Sequence, residues 1–299
     1  MPDITANGIS IHYDEHGDKN APPMLLIMGF GAQMTLWPME LVEALVARGF
    51  RVIRYDNRDV GLSHKFDGVK APGLIKMTLL SKFGITPKVP YTLADMADDG
   101  AGLLDALGIE KAHIVGASMG GMIAQHFAVK HADKTLSLTS VFSTTGNPKL
   151  PAAKKEAMKV LITRPASMEE EVLVDHGVKL ARTIGSPGYP AEEARLRDRV
   201  RQSVQRSVYP EGPTRHLSAI VADGDRRAMI GTITAPTLVL HGEDDPLVPV
   251  EGGRDTAAHI PGAAIKTYPG WGHDLPAELV DTIADDIAAH AKAPDFAKV

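Results

Sequence analysis

Through residues 4–17 (ITANGISIHYDEHG) apolar and polar side chains alternate at every second position, broken once by Asn7-Gly8. Alternation of this period predicts strands with one covered face, and Asn-Gly between them predicts a two-residue hairpin turn. The pattern then changes. MLLIMG (24–29), RVIRYD (51–56), AHIVGA (112–117), LSLTSVFS (136–143) and TLVLHG (237–242) are short, nearly unbroken apolar runs. Such runs read as strands covered on both faces, and so as a mostly parallel sheet.

Between these runs apolar residues recur at helical spacing. Residues 36–48 carry Trp37, Leu41 and Leu45 and end at Gly49. Residues 92–107 open with Thr92 and Asp95 in a capping-box arrangement and end at Gly108. Residues 119–131 and 277–292 complete the set. Strand alternating with helix predicts an α/β fold, a doubly wound sheet with right-handed crossovers.

Two stretches break the alternation. Residues 63–90 form a long link punctuated by Gly and Pro, enclosing an apolar piece, LIKMTLLSKFG (74–84). Residues 146–233 hold several helical patterns and no convincing strand. One starts at Ser167 with Glu170 as capping-box partner, and another at Pro190, running through AEEARLRDRVRQSVQR. The expected organisation is a core domain from residues 1–145 and 234–299, with residues 146–233 inserted as a helical cap. The last residues, APDFAKV (293–299), read as a loose tail.

Composition narrows the function classes. The 299 residues, 44% hydrophobic, suffice for a large core. Lys and Arg number 32 against 37 Asp and Glu, a formal charge of −5, and no basic stripe is interleaved with aromatics. Nucleic acid is therefore not an expected partner. The absence of cysteine removes a disulfide framework, a thiolate metal site and a cysteine nucleophile together. The first residues, MPDITANGIS, have no basic segment followed by an apolar one, so no secretory signal is expected. The best apolar run, residues 24–32, is far too short to span a membrane. A cytoplasmic protein is the default expectation. Nothing in the sequence fixes an oligomeric state, and a homodimer is compatible with it.

Candidate chemistry starts at VGASMGGM (115–122), where Gly116, Ser118 and Gly120 form G-x-S-x-G. An apolar strand pattern ends there and a helical one begins. A strand that turns directly into a helix strains its central residue. Side chains two positions either side would collide, so glycine is needed at both. The turn presents the hydroxyl at the sheet's C-terminal edge, beside a helix N-terminus that favours negative charge. A serine needs a base to become nucleophilic, and twelve histidines compete. His113 lies inside an apolar strand and reads as packed core. His241 ends a strand, and His12, His16, His131 and His259 have polar neighbours. His273 stands apart, in the Gly/Pro loop YPGWGHDLP (268–276), after a strand-like AAIKTY and before the last helix. For an acid to orient it, HGEDDPLVP (241–249) offers Glu243, Asp244 and Asp245, and the residues alone do not choose among them.

GASMGG, GEDDPLVP and GWGH, with RYDNRDVGLS (54–63), resemble the α/β-hydrolase superfamily over almost the whole chain. RYDNRDVGLS is similar to that family's D-x-R-G-x-G-x-S turn, with Asp59 where glycine is usual. Asp56, Arg58 and Ser63 then build a turn and are not catalysts. Within the superfamily the chain resembles small bacterial carboxylesterases, including the anthracycline (aclacinomycin) methylesterase type, which carry a helical cap at the corresponding place. The resemblance implies Ser118 as nucleophile, Asp245 as acid and His273 as base, in the family's chain order. It implies a serine carboxylic-ester hydrolase that works through an acyl-enzyme on a small-molecule ester, with no metal or organic cofactor.

It also implies an oxyanion hole formed by the backbone N–H groups of Met119 and Phe30. Many relatives have His-Gly in the second loop, where this chain has Met28-Gly29-Phe30-Gly31. A backbone donor survives that change. Gly29 and Gly31 would let the chain approach the substrate, and Trp37, Met119, Met122 and the insertion would wall the pocket, which suits an apolar ester of modest size. Lactonases, cofactor-free haloperoxidases and carbon–carbon bond hydrolases share the same triad and are not separated by sequence. Haloalkane dehalogenases and epoxide hydrolases place aspartate where Ser118 stands, so the elbow argues against them. A non-enzymatic ligand receptor on this fold is the remaining alternative.

Overall fold

The computed structural model describes residues 3–73, 77 and 87–293. The opening hairpin, β1 (Asp3–Ala6) and β2 (Ile9–His16), turns at Asn7 and Gly8, both at positive φ (49° and 76°). That is the backbone the Asn-Gly pair favours. The apolar runs become β3 (Pro23–Ile27), β4 (Arg51–Tyr55), β5 (Ala112–Ala117), β6 (Thr135–Val141) and β7 (Thr237–Gly242), followed by β8 (Ala264–Tyr268). All eight join one sheet in the order β1-β2-β4-β3-β5-β6-β7-β8. β2 pairs antiparallel with β1 and β4, and every other pair is parallel.

Alternate residues of the central strands enter opposite layers. Leu25, Ile27, Ile53, Tyr55 and Ile114 point to the layer of α2 (Leu93–Ala106) and α3 (Met119–Lys130). Met24, Leu26, Val52, Val115, Leu238 and Leu240 point to the layer of α1 (Met39–Ala47) and α10 (Val280–Lys292). This period of two, with both faces covered, explains why the runs look uninterrupted in sequence. The chain leaves β3 for β4 on one side and returns to β5 on the other. The crevice at the C-terminal ends of β3 and β5 is therefore the sheet's switch point, where such sheets bind ligands.

Helix boundaries depart from the sequence pattern at three places. The helix expected over 36–48 starts only at Met39. Pro38 caps it, and Met34–Leu36 form a separate 3₁₀ turn. The Thr92 box forms as expected, with Thr92 Oγ1 accepting from the Asp95 N–H at 3.1 Å and Asp95 accepting from the Thr92 N–H at 2.7 Å. The Ser167 box does not form. Ser167 instead accepts from the Glu169 N–H at 3.3 Å, and the helix begins at Glu170. Pro190 does not open a helix either: the helix begins only at Glu193, and just before Pro190 the Gly188 N–H donates to the Gly270 carbonyl of another loop.

Between β6 and β7 the described residues hold five helices and no strand: α4 (Lys155–Ile162), α5 (Glu170–Ile184), α6 (Glu193–Arg206), α7 (Glu211–Asp223) and α8 (Arg227–Ile230). Val174, Val178 and Leu196 give α5 and α6 a small apolar cluster of their own. Ala219, Ile230 and Ile233 instead join the main core, which thus reaches back across the boundary expected at residue 234. The helix α9 (Glu251–His259) follows β7. The apolar piece 74–84, apart from the buried Met77, and the tail 294–299 lie outside the described residues. No helix among the described residues is long and apolar enough to cross a membrane.

His113, in β5, is buried as the sequence pattern predicts. Its Nδ1 lies 2.8 Å from Ser137 Oγ, and its ring meets Phe50 edge-on. Burial, with a smaller contribution from nearby His290, lowers its pKa to about 4, against 6.5 for a free imidazole. The unfolded chain therefore binds this proton first as pH falls. The stability held above pH 6.5 is lost as pH drops toward 4, by up to about 1.4 kcal/mol per pH unit. Urea unfolding at pH 7.5, 6 and 5 should show a shallower decline for His113→Gln than for wild type. Equal slopes would contradict this account.

Candidate active site

β5 runs without a break into α3, and Ser118 is the single residue between them. It takes φ 57° and ψ −121°, a backbone that L side chains rarely adopt. Its N–H donates to the Val141 carbonyl at 2.9 Å, and its carbonyl accepts from Ser143 Oγ at 2.7 Å. The glycines beside it are required by contact. A β-carbon at Gly116 would overlap the Gly120 carbonyl, and one at Gly120 would overlap the Ile27 carbonyl of β3. The collision expected from sequence is thus real, although for Gly120 the partner is the neighbouring strand. The serine is left half-buried, with its hydroxyl facing the crevice beside the start of α3.

His273 and Asp245 meet Ser118 there, from loops that follow β8 and β7. His273 Nε2 lies 2.9 Å from Ser118 Oγ, and His273 Nδ1 lies 2.6 Å from Asp245 Oδ2. The carboxylate can only accept, so Nδ1 carries the proton and Nε2 accepts from the serine hydroxyl. The other Asp245 oxygen accepts from the Leu247 and Val248 N–H groups at 2.8 and 2.9 Å, which fixes its orientation. His273 and Asp245 are both buried, so their charge-assisted bond is shielded from water.

Geometry separates the acids that sequence left open. Asp244 turns away from the imidazole and accepts from the Gly270 N–H at 2.7 Å, while its own N–H donates to the Trp271 carbonyl at 3.1 Å. It ties the acid turn to the histidine loop. Glu243 accepts from Thr267 at 2.7 Å. Four other histidines are engaged elsewhere: His241 with the Val248 carbonyl, His12 with Asp3, His131 with Asp98 and His126 with Asp223.

Gly29 follows β3 and lies against the serine. A β-carbon there would come within 3.0 Å of Ser118 Cβ. Among the described residues, the N–H groups of Phe30 and Met119 donate to no protein acceptor. The Gly31 N–H is taken, donating to His216 Nδ1 at 3.2 Å. The expected pocket walls need correction. Trp37 has no surface open to water and packs with Met28, Leu41 and Leu45 beneath the sheet, since its chain turns inward ahead of Pro38. The Met119 side chain is likewise core. Met122 packs in the same cluster and is 8% exposed. Asp56, Arg58 and Ser63 build a turn as expected. Asp56 accepts from the Met34 and Leu62 N–H groups, Ser63 donates to the Asp56 carbonyl, and Arg58 grips Asp99.

Several residues around the site were not singled out in sequence. The end of α5 and the chain after it clasp the histidine loop: the His273 N–H donates to the Ile184 carbonyl at 2.7 Å, and the Gly272 N–H to Ser186 Oγ at 2.9 Å. Ser186 also bonds Asp274, whose pKa burial raises. Phe142, itself at positive φ (34°), lays its ring against the His273 imidazole at 4.7 Å. Neither arrangement leaves a local pattern. No group of three or more His, Asp or Glu side chains among the described residues could hold a metal ion.

A family model described as "alpha/beta hydrolase fold" matches residues 22–278. Rhodomycin D methylesterase DauP of Streptomyces sp. (strain C5) is 29% identical, with 97% of each chain covered. The bifunctional esterase/perhydrolase DCH of Acinetobacter calcoaceticus is 25% identical over 97% of this chain and 98% of its own. Among solved structures, the enol-lactonase from Burkholderia xenovorans LB400 superposes with a TM-score of 0.74 at 27% identity, covering 98% of this chain and all of the other.

The strain at residue 118 can be measured. Ser118→Gly and Ser118→Ala both remove the hydroxyl, but only glycine adopts this backbone freely. The glycine variant should be the more stable by about 1–3 kcal/mol in denaturant unfolding. Equal stabilities would show that the turn is unstrained.

Proposed function

The chain belongs to the α/β hydrolase fold family, and on that premise we propose that it is a serine hydrolase cleaving carboxylic esters through an acyl-enzyme. The observation that carries this reading is the placement of His273 within hydrogen-bond reach of both Ser118 Oγ and Asp245 Oδ2. In the proposed sequence, His273 Nε2 takes the hydroxyl proton as Oγ attacks the acyl carbon. Asp245 holds the imidazole in the required tautomer and stabilises its cation. The Phe30 and Met119 N–H groups receive the negative charge that forms on the carbonyl oxygen. The imidazolium then protonates the departing alcohol. A water, deprotonated by the same imidazole, releases the acid and restores Ser118.

Residues 146–233 act in this reading as a cap over the crevice, and the substrate is a small to medium apolar ester. The likeness to rhodomycin D methylesterases supports an ester with a small alcohol group. A lactone, being a cyclic ester, is a second reading favoured by the likeness to the enol-lactonase.

A fluorophosphonate probe should label wild type and leave Ser118→Ala unlabelled. Absence of labelling in both would turn the reading toward a ligand receptor. On a panel of p-nitrophenyl esters of rising chain length, assayed beside lactones, Asp245→Asn should lower kcat by about 10⁴-fold because it presents the wrong tautomer. Asp244→Asn should cost far less and act mainly on stability. The reverse ranking would exchange the roles of the two aspartates.

A further inference from the structure

The loop that offers the Phe30 N–H does not stand by itself. Gly31, the next residue, has φ +61°, and its N–H donates to His216 in α7. His216 is fully buried, and its Nε2 lies 2.9 Å from the Arg58 carbonyl. These two contacts dictate one protonation state. An N–H from Gly31 requires a bare Nδ1, and a carbonyl at Nε2 requires a proton there, so the imidazole is neutral. Its surroundings agree. Burial lowers its pKa to about 4, and the charged groups facing it, Asp59, Arg215 and Arg58, are paired among themselves or with Asp99. The rings of Phe30 and Tyr91 each lie 6.3 Å away, edge to face.

Asp59 explains how α7 is held in register. This residue occupies a left-handed backbone, φ 65°, at a position where glycine would be unstrained. Its buried carboxylate receives Arg215 in a bidentate pair at 2.7 and 2.9 Å, the Tyr91 hydroxyl at 2.6 Å and the Phe66 N–H at 2.8 Å. Arg215 is one residue before His216, and it also bonds the Val69 carbonyl. At the start of α7, Gly212 lies against the Asp59 carbonyl so closely that a β-carbon would overlap it. Pro213 sits against Gly31, within 3.2 Å of where a β-carbon would be. Glycine at 59 would relax the backbone but leave Arg215 buried without its partner, a costly state.

We propose that His216 is a positioning residue for hydrolysis: as a neutral acceptor of the Gly31 N–H, it holds the loop after β3 so that the Phe30 N–H stays aimed at the oxygen of the tetrahedral intermediate. This rests on the ester-hydrolase reading and adds to it a residue from the inserted helices. Gln33 and Met34 anchor the far end of the loop, to Ser203, Ser207 and Asp56. His216 is the anchor beside Phe30. Loss of that anchor should weaken binding of the transition state more than of the ground state.

The test compares wild type with His216→Leu, which has no acceptor, and His216→Gln, which offers an acceptor and a donor. Rates are expressed per active site titrated with fluorophosphonate. His216→Leu should lower kcat on a p-nitrophenyl ester by about 10–100-fold, a part of what losing an oxyanion donor costs, with KM changed less than about twofold. Its affinity for a trifluoromethyl ketone, a tetrahedral-state analogue, should fall by a similar factor, and His216→Gln should recover most of both. A purely structural role would lower thermal stability and the titratable fraction while leaving kcat per site and analogue affinity unchanged, and that result overturns the proposal. If the leucine variant does not fold, ¹⁵N histidine NMR of wild type decides: His216 must be neutral with its proton on Nε2 at pH 6, and an imidazolium or the Nδ1–H form there overturns it. Wild type inactive on every ester would remove the reading beneath the proposal, and the proposal with it. Active wild type with unaffected variants would remove the proposal alone.

Discussion

One residue with an unfavourable backbone, squeezed between a strand and a helix, governs where everything else must go. Ser118 keeps φ 57° because the N–H to Val141 and the carbonyl to Ser143 hold it on both sides. Gly116 and Gly120 leave out the β-carbons that would otherwise push α3 away from β3 and β5. The strain, of the order of 1–3 kcal/mol, is small beside the burial of apolar strands on both faces of the sheet. In return, one hydroxyl stands at the switch point of the sheet. The loops after β3, β7 and β8 all end within reach of it.

Those loops are positioned as much by the helices between β6 and β7 as by the sheet. The end of α5 and the chain after it grip the histidine loop through Ile184, Ser186 and Gly188, and α7 grips the loop after β3 through His216. Residues 203–207, at the end of α6, hold Gln33. The segment between β6 and β7 is therefore bonded to both arms of the proposed site. Displacing these helices as a rigid body would break the backbone hydrogen bonds that set the imidazole and the loop beside Phe30. Asp59 fits the same logic, since its carboxylate serves α7 at the expense of its own backbone conformation.

The sheet was legible because its signal is local. Nearly unbroken apolar runs of six to eight residues, the Asn-Gly turn and the Thr92 capping box each carry their structure within a few positions. Ser118 was legible for the same reason, as a strand, a G-x-S-x-G and a helix in direct succession. His273 was legible only through its Gly/Pro loop, and the choice of Asp245 over Asp244 needed a family resemblance. In the fold the two carboxylates differ in direction and in burial: Asp245 is buried and turned to the imidazole, while Asp244 is exposed and accepts from the Gly270 N–H. What stayed hidden depends on contacts between distant segments. Trp37 looks like a pocket wall until the turn before Pro38 sends it under the sheet. The capping signals at Ser167 and Pro190 fail where Ser167 closes a short turn onto the Glu169 N–H and the chain at Gly188 is bonded to the histidine loop, so the helices begin only at Glu170 and Glu193. The pair of Arg215 with Asp59 left one trace, an acidic residue where the turn prefers glycine.

The central claim is that Ser118 forms a covalent bond to the acyl group during turnover. Rapid acid quenching during hydrolysis of a p-nitrophenyl ester, followed by intact-mass and peptide analysis, tests it most directly. The account predicts a protein mass raised by one acyl group, with the added mass on the peptide containing Ser118 and none in Ser118→Ala. Sustained ester hydrolysis with no adduct when product forms in a pre-steady-state burst, or with the acyl group on another residue, would contradict it.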